Sequence, residues 1–166
     1  MAKPVSRILV INDEHLVLRE FVKGLNAAAR SLDNPLGITF TGVATAKEAL
    51  ALIQADGDLQ AVLVDDTLYT LAKNGSKSEK RLQTTALELV QRITRLRPEL
   101  DVYILIAQEK EDDVVDALFA ESVDGYFYRE ERDYRGIYRI LNAQIQERAR
   151  TPFAETGWTN GEYFMR

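Results

Sequence analysis

The chain has 166 residues, 46% of them hydrophobic and 28% charged, with a net charge of −5. That length predicts about one domain, able to remove about two-thirds of its unfolded surface from water. The absence of cysteine excludes disulfides, thiolate metal sites and cysteine nucleophiles; a single histidine, His15, excludes a multi-histidine metal centre; and the acidic balance without a Lys/Arg block argues against nucleic acid.

Met1-Ala2-Lys3-Pro4 carries one positive charge and no apolar signal segment, and no run approaches the ~18 apolar residues of a membrane helix. The expectation is a cytoplasmic protein that does not meet a membrane. Ile8-Leu9-Val10-Ile11 is too short for a helix and rich in β-branched residues, so it reads as a first strand, ended by Asn12-Asp13-Glu14. From Glu14 to about Leu32, the residues Val17, Phe21, Leu25, Ala28 and Leu32 recur at helical spacing. Asp33-Asn34-Pro35-Leu36-Gly37 then breaks the helix with turn residues. Ile38 to Val43 alternates apolar and small or polar residues as a second strand. Thr45-Ala46-Lys47-Glu48 is a capping box opening a helix through Leu50, Leu52 and Ile53, with Gly57 marking its end.

Ala61-Val62-Leu63-Val64 follows, a run apolar enough to be buried on both faces, and it stops on Asp65-Asp66. Thr67 to Arg81, with the basic polar stretch Lys73 to Lys80, reads as an exposed loop. A helix is predicted from near Leu82 to Leu96 with Ala86, Leu89, Val90 and Ile93 inward, closed by Arg97-Pro98. Val102 to Ile106 is a fourth strand, and Glu111 to Ala120 a helix whose first-turn pair Asp112-Asp113 suits the helix dipole. Val123-Asp124-Gly125 turns into a fifth strand, Tyr126-Phe127-Tyr128. Glu130 to Asp133 leads into a last helix with Ile137, Ile140, Leu141 and Ile145 on one face.

Strands and helices in alternation predict a parallel sheet covered on both faces. The expected fold is α/β and flavodoxin-like, a doubly wound five-stranded parallel sheet of order 2-1-3-4-5. This order sets the ends of the first and third strands side by side and brings Asn12, Asp13, Asp65 and Asp66 together. Residues 1–150 read as one domain, and 151–166, which has no periodicity, as a linker or tail.

Ile8 to Glu14, Val62-Leu63-Val64-Asp65 and Val123-Asp124-Gly125-Tyr126 together resemble the receiver domains of response regulators, over roughly Ser6 to Arg148. In that family, acids after the first strand bind Mg²⁺, the aspartate ending the third is phosphorylated, and a hydroxyl and a lysine ending the fourth and fifth complete the site. The chemistry needs such a set, because a carboxylate attacking an anionic phosphoryl group requires a cation to neutralise charge. The resemblance implies Asp65 as the phospho-acceptor position, Asp13 and Asp65 as Mg²⁺ ligands with Glu14 beside them, and Tyr126 as the switch aromatic. It also exposes departures. The first acid is Asn12, the hydroxyl position is Ile106, and the lysine position is Arg129, which keeps the charge but not the geometry. The set is that of a degenerate receiver.

Val123 to Tyr128 and Thr151-Pro152-Phe153-Ala154-Glu155 resemble, more narrowly, the N-terminal wing of PLP-dependent ornithine/lysine/arginine decarboxylases. That wing is a receiver-like domain without phosphorylation, used in subunit assembly and, in some members, in binding a regulatory nucleotide. No Ser-x-x-His-Lys PLP site occurs in the chain. Two functions follow. One is a non-catalytic regulatory or assembly domain that binds a protein partner or itself. The other is a single-domain response regulator phosphorylated on Asp65 with Mg²⁺ in a phosphorelay. A flavin-binding variant of the fold is disfavoured, since no Ser/Thr/Gly-rich phosphate loop follows the first strand. His15 at a helix start reads as a solvated residue, and Tyr126 and Tyr128 as strand packing as readily as a switch.

Overall fold

The computed structural model describes residues 5–65, 79–106 and 123–150. The order is β1 (Ser6–Ile11), α1 (His15–Ser31), β2 (Ile38–Val43), α2 (Ala46–Ala55), β3 (Leu59–Asp65), α3 (Glu79–Leu96), β4 (Asp101–Ile106) and β5 (Gly125–Tyr128). A 3₁₀ turn (Arg129–Glu131) and α4 (Tyr134–Arg150) complete it. All strand pairs are parallel and the sheet order is β2-β1-β3-β4-β5, the flavodoxin-like topology expected. The helix expected over Glu111 to Ala120, residue Asp66, the stretch from Thr67 to Ser78 and the tail from Thr151 lie outside the described residues.

The two-residue period of the strands divides the core between the sheet faces. Ile8, Val10, Ala61, Leu63, Tyr103 and Leu105 face α1 and α4, where Phe21, Leu25, Ile137 and Leu141 meet them. Leu9, Ile11, Val62, Val64, Ile104 and Ile106 face α2 and α3, against Ala49, Ile53, Leu89, Val90 and Ile93. The central strands β1, β3 and β4 are thus apolar on both sides, as a parallel sheet between helix layers requires.

Local chemistry sets the boundaries. Thr45 Oγ1 accepts from the Glu48 N–H at 3.1 Å, the first bond of the predicted capping box, while the Glu48 carboxylate accepts from the Thr45 hydroxyl at 3.0 Å in place of the Thr45 backbone N–H. After α1, the Asn34 side chain accepts from the Ile38 N–H and donates to the Ile38 carbonyl. Gly37 takes a φ of 62°, a left-handed turn suited to glycine. β5 opens one residue earlier than predicted, on Gly125, where a Cβ would stand 3.3 Å from the Tyr103 ring. The missing side chain makes room for that ring, which stacks on Phe127 with centroids 5.4 Å apart.

Three expectations are corrected. The inward stripe of α1 is Leu18, Phe21, Leu25, Ala28 and Ala29, and Val17 only flanks it. In α4 Ile140 is 48% exposed, and Tyr138, 1% exposed, is buried instead. Tyr138 sits one position from Ile137 on the stripe continued by Leu141 and Ile145. Its ring can be buried because its hydroxyl donates to the Asp33 carbonyl at 2.7 Å and lies 3.0 Å from Asn34 Oδ1. The helix expected to start near Leu82 begins at Glu79, so Glu79 and Lys80 belong to α3 and not to the loop.

Candidate functional site

The carboxyl ends of β1 and β3 lie side by side, with Ile11 opposite Val64 and Asp65 opposite Leu105. Asp65 is the last residue of β3 and is fully buried. Asn12 follows β1 and is 2% exposed. Its Oδ1 accepts from the Glu14 N–H at 2.9 Å, which fixes the amide so that Nδ2 points to Asp65. Nδ2 donates to Asp65 Oδ2 at 2.9 Å.

Arg129 arrives from the other side. It opens the 3₁₀ turn directly after β5, and that turn is closed by the Arg132 N–H donating to the Arg129 carbonyl, with Arg132 at φ 52°. The turn aims the guanidinium over the end of β4 to the same carboxylate oxygen, Nη1 to Asp65 Oδ2, at 2.5 Å. Its Nη2 donates to Glu130 at 3.1 Å. The Arg129 side chain is 12% exposed, so the pair is withdrawn from solvent. Burial works against the Arg129 charge, but Asp65, with Glu130 behind it, outweighs that and holds the guanidinium above its ordinary pKa.

Ile106 ends β4 opposite Tyr128 and is fully buried in the core shared with α2 and α3. An aliphatic side chain there offers no hydrogen bond to a group on Asp65. Asp13 is half-buried, and Glu14 and His15 are exposed, Glu14 as the cap residue of α1 without a side-chain cap bond. Tyr126 lies on the sheet face of Ile104, partly exposed, its ring edge-on to Tyr128 at 5.4 Å.

The fold therefore assembles Asn12, Asp65 and Arg129 at one point, with Ile106 ending the neighbouring strand. What the sequence did not disclose is how they are joined. Asn12 reads there as a lost charge; in the structure it is a gained donor. An amide N–H and a guanidinium thus both donate to the buried carboxylate. Mg²⁺ takes hard oxygen ligands in near-octahedral geometry. Here Asn12 turns a nitrogen donor toward Asp65, and Asp65 Oδ2 already carries Arg129. Among the described residues no group of three or more His, Asp or Glu is placed to hold a metal ion. As arranged, Asn12 Nδ2 and the Arg129 guanidinium do not suit a divalent cation at Asp65 Oδ2.

No protein-family sequence model matches the chain, and no curated protein sequence matches it. Solved structures do. A CheY-like response-regulator receiver domain protein from Methanospirillum hungatei superposes with a TM-score of 0.64 at 18% identity, over 88% of this chain and 98% of that one. The signal receiver domain of an HD domain-containing protein from Pseudomonas fluorescens gives 0.60 at 16% identity, over 88% and 98%. A response regulator receiver protein from Pseudoalteromonas atlantica gives 0.62 at 11% identity, over 85% and 98%. At these identities the likeness establishes a CheY-like fold. Among the described residues no helix is long and apolar enough to cross a membrane.

Proposed function

We propose that this chain is a receiver-like regulatory domain that works by binding protein, with Asp65 held in a permanent internal pair and not used as a phospho-acceptor. One observation carries the reading: Asp65 Oδ2, fully buried, accepts from both Asn12 Nδ2 and Arg129 Nη1. A nucleophilic carboxylate oxygen needs a free lone pair and room for an in-line phosphoryl group. Two charge-satisfying donors on one oxygen compete for both. Ile106 adds to this, because nothing at its position would read a phosphoryl group and pass the signal on.

Acetyl phosphate with excess Mg²⁺ should leave the intact mass unchanged. A phosphoryl mass on the parent that disappears in Asp65→Asn would overturn the reading. The converse change is equally informative: Asn12→Asp, Ile106→Thr and Arg129→Lys together should create an acceptor where the parent has none.

Within this reading the chain corresponds to an assembly wing of an ornithine/lysine/arginine decarboxylase, without catalysis of its own. Its support is the sequence from Val123 to Tyr128 and Thr151-Pro152-Phe153. Light scattering on the purified chain should then give a dimer or larger species; a monomer at all concentrations would remove the self-assembly role. The alternative, a response regulator phosphorylated on Asp65 with Mg²⁺ held by Asp13 and Asp65, is favoured by one fact. Asp65 still ends β3 at the carboxyl edge of the sheet, where ligands of open α/β folds bind.

A further inference from the structure

We infer that the groove between α2 and the second half of α3 is a docking site for an acidic amphipathic helix of a partner protein. The groove has a volume of about 560 Å³. Its floor includes Leu50, Ala51 and Leu96, and its rim Lys47, Arg92 and Arg95. On α2, the residues Lys47, Leu50 and Ala51 stand at i, i+3 and i+4, a stripe beside the one that Ala49 and Ile53 bury against the sheet. On α3, Arg92, Arg95 and Leu96 repeat the same spacing, beside the buried Leu89, Val90 and Ile93. Each helix thus presents a second, mixed stripe beside its core stripe, with only Leu50 of the six also packed against the core.

Charge identifies the occupant. The chain carries −5 overall, yet the rim concentrates three cations around an apolar floor, and among the described residues none of the three forms an ion pair. Leu96 is 41% exposed, a large apolar surface left at the edge of that floor. A third helix laid between two helices, with apolar anchors at i, i+3/i+4 and i+7 and acids on its flanks, satisfies floor and rim together. A membrane surface fits less well. Polybasic lipid sites use clusters of about four to eight cations, and this rim has Lys47, Arg92 and Arg95 alone. Three cations on an acidic chain are also too few for a nucleic-acid backbone.

This surface rests on the chain being a protein-binding module, but its test does not involve Asp65. The groove and the pairing of Asp65 therefore fail separately. The probe is a designed helical peptide of about sixteen residues, ~24 Å long, with leucines on one face and glutamates flanking them. The controls are the same peptide with lysine for every glutamate, and phosphatidylserine vesicles. Titration of the full chain, read by amide chemical shifts and fluorescence anisotropy, should give saturable binding of the acidic peptide with shifts confined to Lys47–Gln54 and Arg92–Leu96. Arg92→Glu with Arg95→Glu should weaken it about tenfold or more. These are exposed positions, and unchanged thermal melting will show that the fold is intact. Leu96→Gln should weaken binding independently of salt, and added salt should weaken the parent interaction. Equal binding of the lysine peptide, shifts elsewhere on the domain, no binding, or binding of vesicles only would each overturn the inference.

Discussion

The two edges of the sheet use arginine in opposite ways. At the amino edge, Arg97 donates to the carbonyls of Ile53 at 3.1 Å, Asp56 at 2.7 Å and Leu59 at 3.4 Å, tying the end of α2 to the start of β3. Arg7 pairs with Asp56, and Arg148 holds Asp101 at 2.9 Å and the Glu99 carbonyl at 2.8 Å. At the carboxyl edge one arginine, Arg129, meets one buried acid. The first arrangement is distributed over main-chain acceptors and partly solvated acids, so any single member is dispensable. The second is concentrated on one fully buried carboxylate, where loss of Arg129 removes the cation that faces it. The amino edge gains redundancy, while the carboxyl edge gathers its charge at one buried acid.

Breaking the concentrated pair should have the largest effect. Arg129→Met removes the cation that pairs with buried Asp65, and urea unfolding should show a loss of about 3 kcal/mol. Adding Asp65→Asn should recover most of it, because the stranded charge is then gone. Asn12→Asp replaces a donor with a second carboxylate beside Asp65. In EDTA it should cost about 1–2 kcal/mol. Millimolar Mg²⁺ should restore stability to that variant by mass action and leave the parent unmoved. At the amino edge, Arg97→Ala should cost about 1–2 kcal/mol through its three carbonyls, and Arg7→Ala less than about 1 kcal/mol, since that pair is partly exposed. A larger loss at Arg97 than at Arg129 would invert the comparison.

The smallest effect is one of pH. Asp124 lies at the amino edge, where its Oδ2 accepts from the Val102 N–H at 2.7 Å. Burial, with Asp101 nearby, pushes its carboxyl up to about 6, against the Val102 hydrogen bond and Arg148. In the unfolded chain the same group loses its proton near about 4. Between these values the folded state holds more protons, so this group's contribution to stability falls as pH rises through that window. Asp124→Asn keeps an acceptor for Val102 and drops the charge. Its stability should fall less than the parent's between about pH 4 and 6, with a modest amplitude because solvent screens part of the effect. Burial raises Asp101 in the same direction, so some slope will remain.

How far the sequence disclosed this molecule depended on whether a feature is periodic. The strands, their order and the inward face of α3 were legible because alternation and the 3.6-residue repeat are written along the chain. Tyr138 was not, because its burial depends on acceptors supplied by the Asp33-Asn34 turn, over a hundred positions away. Ile140 read as core for the same reason in reverse, apolar and at helical spacing but one step off the stripe. At the site, the identities of Asn12, Asp65, Ile106 and Arg129 were legible by position. Their wiring was not, since a side-chain amide can donate or accept, and only the Glu14 N–H determines which end of Asn12 faces Asp65.

The bond from Tyr138 to Asp33 also bears on how the protein is made. The apolar face of α1 is completed by α4, with Phe21 edge-on to Tyr134 at 5.3 Å and the two ends of the clasp separated by 105 positions. During synthesis, the first helix leaves the ribosome long before the last one exists, by on the order of ten seconds at about 5–20 residues per second. Throughout that interval Phe21, Leu25 and their neighbours have the residues of β1, β2 and β3 to pack on but lack the cover of α4. The nascent chain is at its most adhesive while half built, and it becomes safe from its own first helix only when its final turns of helix emerge.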